Sequence, residues 1–146
     1  MKFETTEIKC MDCGKKFLGP ALGGHSYGSF IFSGEKGNVF GYFQACENPA
    51  WNFMETVIKQ KGVGYKAKCN HGERLQAACA YFADAINGQR LKNNHACPCC
   101  FSTNTHSTSH ERVGVVEVSN VSHLEFMSWP ESIRRAKVLE FDLRRI

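Results

Sequence analysis

The chain has 146 residues, 42% hydrophobic and 22% charged, with a formal net charge of +4 and eight cysteines. That length and apolar content fit one domain able to bury a core without dense cross-linking, and so small a charge excess argues against a protein that grips nucleic acid by charge alone. No run approaches the roughly 18 apolar residues of a membrane span, and the first residues, with Lys2, Glu4, Glu7 and Lys9, contain no apolar signal core. The expectation is a cytoplasmic protein whose paired cysteines hold metal rather than form disulfides.

Taken in order, Lys2 to Ile8 alternates, with Phe3, Thr5 and Glu7 on one side and Glu4, Thr6 and Ile8 on the other, and predicts a short strand. It runs into Cys10-Met11-Asp12-Cys13-Gly14, where a residue without Cβ lets backbone N–H groups turn back toward the sulfurs. Phe17 and Leu18 then meet Gly19-Pro20 and Gly23-Gly24, which read as chain breakers. Tyr27–Ser33 and Asn38–Ala45, rich in Phe, Ile, Val and Tyr, flank Gly34-Glu35-Lys36-Gly37 and predict a β-hairpin.

Asn48-Pro49 is a helix start and Gly62 after Lys59-Gln60-Lys61 a stop, so a helix is predicted from Pro49 to Lys61. Asn70 precedes a second helix, in which Leu75, Cys79, Phe82 and Ile86 form an apolar stripe ended by Asn87-Gly88. That stripe is expected to pack on the hairpin. Beyond Cys97-Pro98-Cys99-Cys100-Phe101-Ser102, the polar run Ser102–His110 reads as a loop, with His106 and His110 solvated, and Arg112–Val118 as a strand. Asn120 or Ser122 would cap a helical turn carrying Leu124, Phe126 and Trp129, and Pro130-Glu131 opens a last helix as far as Lys137. Residues 138–146 fit either a continued helix or a strand in which Leu139, Phe141 and Leu143 alternate with Glu140, Asp142 and Arg144.

The two C-x-x-C loops carry the chemistry. Each aims two thiolates at one point, and two facing loops complete the tetrahedral S4 shell that Zn2+ prefers. The expected ligands of one structural Zn2+ are Cys10, Cys13, Cys97 and Cys100, with Cys99 as the residue able to replace a neighbour. A second metal on Cys69 and His71 with His95 or Cys46 rests on a short, unspecific spacing, and Cys79 reads as a small core residue. An all-thiolate shell leaves no position for a reacting water, Gly62-Val63-Gly64 falls short of a dinucleotide fingerprint, and no paired carboxylates stand at an acid/base spacing. The protein is therefore expected not to be an enzyme. Nucleic-acid binding would use Lys15-Lys16, Arg134-Arg135 and Arg144-Arg145 with Tyr27, Phe30, Tyr42 or Trp51 as stacking platforms, while the same aromatics read equally as core. Trp51 and Trp129 fit either an interface anchor or a core.

The knuckles Cys10-Met11-Asp12-Cys13-Gly14 and Cys97-Pro98-Cys99-Cys100 resemble the halves of a zinc ribbon, or of the related rubredoxin-like arrangement. The resemblance implies a small antiparallel sheet around the metal, built from the first strand, the residues after Cys13 and the strand at 112–118. Phe101 in the place of a glycine, the extra Cys99 and a long insertion depart from that pattern. Val121, His123, Phe126 and Trp129 ahead of Arg134 and Arg135 are similar to a segment of small bacterial zinc-ribbon proteins, some of which look like partners of toxins. The expected protein is one α+β domain, 1–146: a zinc ribbon with a hairpin and two helices inserted at 14–96 and a partly helical tail at 119–146. It would act by protein–protein interaction, an immunity or inhibitor protein being the specific form and a nucleic-acid-binding ribbon the alternative.

Overall fold

The computed structural model describes residues 1–23, 27–60 and 71–143. Gly24, the helix stop at Lys61–Gly62, Gly62-Val63-Gly64, Cys69, the Asn70 start, Arg144 and Arg145 lie outside the described residues, as do the side chains of His71 and Leu143. The fold is α+β, as expected.

The first sheet is antiparallel and centred on β1 (Lys2–Cys10), two residues longer than predicted so that it delivers Cys10 directly. β2 (Lys16–Pro20) pairs along one edge, from Lys9 opposite Lys16 to Thr5 opposite Pro20. On the other edge β6 (Thr105–Ser107) pairs the cysteine end of β1 and β7 (Gly114–Glu117) pairs its beginning. Two expectations are corrected here. Gly19-Pro20 does not break the chain but ends an edge strand, where a missing N–H is tolerated. Gly19 is needed because a Cβ there would stand 2.6 Å from the Ile8 side chain and 3.2 Å from the His95 ring. The polar run after Ser102 is also not all loop, since pairing with Ile8, Lys9 and Cys10 makes a strand of Thr105–Ser107 despite its lack of apolar periodicity.

The hairpin forms as predicted from β3 (Ser29–Gly34) and β4 (Phe40–Gln44), with Phe32 opposite Gly41. Its sheet is extended by β5 (Leu91–Lys92) beside β3 and by β8 (Ser119–Asn120), parallel to β4. Gly37, at φ 75°, brings the hairpin turn against the second knuckle, for a Cβ there would lie 2.4 Å from the Ala96 carbonyl oxygen.

Helix α1 (Pro49–Gln60) starts where predicted, with Asn48 Oδ1 accepting from the Trp51 amide at 3.1 Å. It buries Ala50, Met54, Val57 and Ile58, one face at helical spacing. Helix α2 (His71–Tyr81) stops short of the predicted Asn87-Gly88. The chain leaves the helix because Asp84 is held elsewhere, accepting from the Ser122 hydroxyl and the amides of Leu124 and Glu125. Asn87 and Gly88, both at positive φ, instead close a turn in which Ile86 and Gln89 bridge. Of the predicted stripe, Leu75, Cys79 and Phe82 enter the core beside Phe32 and Phe43, while Ile86 only packs against it.

Helix α3 (Leu124–Ser128) buries Phe126, and α4 (Glu131–Leu143) runs past Lys137 to the last described residue. The alternation of Leu139, Phe141 and Leu143 is thus not a strand signal. Val138 and Asp142, four apart, both face inward, and Asp142 meets the buried Arg74 of α2, with Nε donating to Oδ1 at 2.8 Å and Nη2 to Oδ2. A buried carboxylate at a core position hides the helical period from any hydropathy count. Trp51 and Trp129 both pack against the core from its rim.

Candidate metal centre

Each knuckle is built by the same backbone bonds. In the first, Cys10 N–H donates to the Lys15 carbonyl and Gly14 N–H to the Cys10 carbonyl; in the second, Cys97 N–H donates to Ser102 and Phe101 N–H to Cys97, all at 2.8–2.9 Å. Gly14 at φ 78° and Phe101 at φ 64° occupy equivalent left-handed positions. The departure Phe-for-Gly is therefore accommodated by strain in the backbone, not by a different loop.

Facing one another, the loops bring the sulfurs of Cys10, Cys13, Cys97 and Cys100 within 4.8 Å of each other. Cys10 Sγ lies 3.5 Å from Cys100 Sγ and Cys13 Sγ 3.6 Å from Cys97 Sγ. A disulfide would need about 2.05 Å, whereas a tetrahedron with Zn–S bonds of about 2.3 Å has edges of about 3.8 Å. The donor set therefore fits a tetrahedral thiophilic ion. Cys10 and Cys97 are buried, and Cys13 and Cys100 lie at the surface. Cys99 stands outside the cluster with its side chain exposed, and contributes its backbone N–H, 3.4 Å from Cys97 Sγ.

The electrostatics fit a site that wants a cation. Backbone amides of Cys13 and Asp12 favour the Cys10 thiolate and bring its pKa down to about 7 against desolvation, with the Cys100 and Cys13 thiols helping. Although the Lys15 amide favours its thiolate, Cys13 is pushed up to about 12 by desolvation and by the sulfurs of Cys100, Cys97 and Cys10. Cys100 is likewise raised, mainly by Cys10 and desolvation, in opposition to the Ser102 amide. One thiolate forms readily and its charge opposes the next; a divalent ion removes that repulsion and releases the remaining protons.

Asp12 ties the two knuckles together, which the spacing of the cysteines does not reveal. Its carboxylate accepts from the Ser102 hydroxyl and from Asn104 Nδ2 at 3.1 Å, and the Met11 amide donates to the Asn104 carbonyl at 2.8 Å, so the first knuckle is tied to the second. Those hydrogen bonds, Ser102 first, lower the Asp12 pKa. The only sequence signal is its place between two cysteines.

The other candidates are scattered. Cys46 is exposed beside Tyr27, with its sulfur 3.9 Å from the Tyr27 carbonyl. His95 packs edge-on to Phe40 at 5.9 Å, and burial pushes its imidazole down to about 4, so the ring is neutral at pH 7. Among the described residues neither belongs to a group of three potential ligands. Cys79 is a core residue, its thiol raised by burial. His106 and His110 are exposed, as expected. The Val121–Trp129 segment docks the tail: Val121 N–H donates to the Tyr42 carbonyl, His123 Nε2 lies 2.8 Å from the Cys79 carbonyl oxygen, and Phe126 is fully buried.

Fold and site together define an α+β protein whose first sheet presents a four-cysteine cluster of metal-binding geometry. No protein-family model matches the chain, no curated protein is significantly similar to it, and no solved structure matches it significantly. The ribbon resemblance thus rests on the knuckles and their sheet alone, and no relative supports a link to toxins. Among the described residues, no helix is long and apolar enough to cross a membrane.

Proposed function

We propose that the cluster holds one structural Zn2+ and that the chain is a non-enzymatic binding protein whose partner is another protein, an immunity or inhibitor role being its specific form. The observation that carries the zinc reading is the convergence of four thiols on one tetrahedron-sized space, with each knuckle closed by the same backbone bonds. Four thiolates complete the coordination of Zn2+ and leave no position for substrate. In favour of a protein partner, Pro49, Ala50, His123, Leu124 and Met127 line a shallow groove of about 460 Å³, and Leu124 is 77% exposed at its edge. An exposed apolar centre of this kind suits a protein interface. Two of the tail's cations are engaged within the fold, Arg134 over the Phe53 ring at 4.6 Å and Arg135 donating to Gln60 at 3.0 Å, which weighs against a phosphate-gripping tail.

The test is retention of partners on immobilised zinc-loaded protein at low salt and at about 1 M salt, where exposed charges are screened, for wild type and Leu124→Asp. A protein retained at high salt and lost with Leu124→Asp supports the reading. Retention that vanishes with salt and ignores the substitution contradicts it and favours nucleic acid.

A further inference from the structure

Half of the thiol cluster is open to solvent. Cys13 and Cys100 lie at the surface, while Cys10 and Cys97 are buried. Both sulfur–sulfur contacts of hydrogen-bonding geometry in the cluster cross from one knuckle to the other, Cys10 to Cys100 at 3.5 Å and Cys13 to Cys97 at 3.6 Å. Each contact therefore joins a surface cysteine to a buried one. A reagent that reaches the surface member meets a sulfur whose neighbour needs to move only about 1.5 Å to reach the disulfide distance of about 2.05 Å.

The exposed thiols outside the cluster are placed differently. Cys46 Sγ lies 3.9 Å from the Tyr27 carbonyl oxygen, and Cys99 offers its backbone N–H, not its sulfur, to Cys97 Sγ at 3.4 Å. Bonds at the two crossing contacts would join residues 90 and 84 positions apart, and they would join the same two knuckles that the metal clamps. A cross-link that closes so long a loop removes much of the freedom of the unfolded chain. Oxidised in this pattern, the cluster would exchange one clamp for another.

From this pairing we propose that the cluster is a peroxide-responsive clamp, in which oxidation releases Zn2+ and leaves the disulfides Cys10–Cys100 and Cys13–Cys97 in its place. The proposal rests on the structural-zinc reading and adds a regulation of that site. The Cys100 thiolate attacks one oxygen of hydrogen peroxide; the O–O bond breaks, hydroxide leaves and a sulfenic acid forms. The Cys10 thiolate then attacks Cys100 Sγ, forming the S–S bond as the S–O bond breaks and a second hydroxide leaves. Cys13 and Cys97 repeat the sequence. In sum, four thiolates, two peroxides and four protons give two disulfides and four waters, the sulfurs losing the four electrons that the peroxides gain. Zn2+ departs because no thiolate is left to hold it.

Zinc-loaded full-length protein is treated with hydrogen peroxide at up to about ten equivalents, with zinc release followed by a chromogenic chelator and bonds mapped by mass spectrometry of unreduced peptides. About two equivalents should release the zinc, the bonds found should be Cys10–Cys100 and Cys13–Cys97, and a dithiol reductant with added Zn2+ should restore the metal. The oxidised, zinc-free protein should keep hydrogen-exchange protection at residues 2–20 to within about tenfold of the zinc-loaded protein. Cys46→Ser/Cys69→Ser/Cys99→Ser leaves the buried Cys79 as the one thiol outside the cluster and should show the same stoichiometry and pairing. Zinc retained beyond about ten equivalents, bonds Cys10–Cys13 and Cys97–Cys100, a bond to Cys99, sulfinic acids in place of disulfides, or loss of that protection on oxidation overturns the proposal and leaves the structural-zinc reading standing. A chain that holds no zinc before peroxide is added overturns both.

Discussion

Removing the metal should unfold one sheet and spare the rest. Ordering a residue costs roughly 1–2 kcal/mol of backbone entropy, and β1 alone fixes nine residues and β2 five. Against that, the large apolar side chain these two strands bury fully is Ile8, at 3% exposure. Its burial contributes roughly 1.5–3 kcal/mol. Leu18, Val113 and Val115 are each about half exposed or more and add little. Zinc on four thiolates contributes about 10–16 kcal/mol at pH 7, which is the scale of the shortfall. By contrast the helices and hairpin share Phe32, Phe43, Met54, Ile58, Leu75 and Phe126 in a core that does not include the cysteine cluster. The assay is hydrogen exchange by mass spectrometry on reduced protein, with and without a zinc chelator. Residues 2–20 and 97–117 should lose protection by at least about a thousandfold, the equivalent of about 4 kcal/mol, while α1, α2 and β3–β4 keep theirs. Unchanged exchange in the first sheet, or equal loss in α1 and the hairpin, would show that the metal does not hold this sheet selectively.

Three further outcomes follow from particular residues. Asp142→Ala removes the carboxylate that the buried Arg74 guanidinium bonds and should cost about 3–5 kcal/mol in urea unfolding, whereas Arg74→Met with Asp142→Leu should come within about 1 kcal/mol of wild type or exceed it; a single-mutant cost below about 1 kcal/mol would show that the buried guanidinium does not depend on Asp142. Phe101→Gly relieves a left-handed backbone at a side chain 53% exposed and should raise the stability of the zinc-loaded protein by about 0.5–1 kcal/mol; a lowered Tm would mean that the ring makes a contact worth more than the strain. His123 has its pKa lowered by burial, against the Cys79 carbonyl bond and the nearby Asp84 charge. The unfolded chain therefore takes up a proton below about pH 6.5 before the folded one does, and this contribution, complete above that pH, is lost as pH falls toward the folded value. An NMR titration of the ring placing its pKa above that of a free histidine would contradict this.

Much of the fold was legible because local signals agreed with tertiary placement. Asn48-Pro49 starts α1 and Gly34–Gly37 turns the hairpin, each by chemistry contained within a few residues. What stayed hidden depends on partners far along the chain. Thr105–Ser107 is a strand only because β1 passes beside it. Helix α2 ends early because Asp84 is needed at α3, and α4 continues because Arg74 waits for Asp142. At the site, the C-x-x-C spacing pointed to the four cysteines that come together, since two-residue loops constrain their own geometry. Asp12, which ties the loops to each other, was invisible because its partners Ser102 and Asn104 lie some 90 residues away.

Native intact-mass measurement with thiol counting tests whether Cys10, Cys13, Cys97 and Cys100 hold one structural zinc. The expected result is one Zn2+ per chain, with those four cysteines protected from alkylation until the metal is removed and the exposed Cys46 and Cys99 labelled in both states. A chain that carries no metal as purified and takes up none, or one in which Cys99 is protected while one of the four reacts, would contradict it.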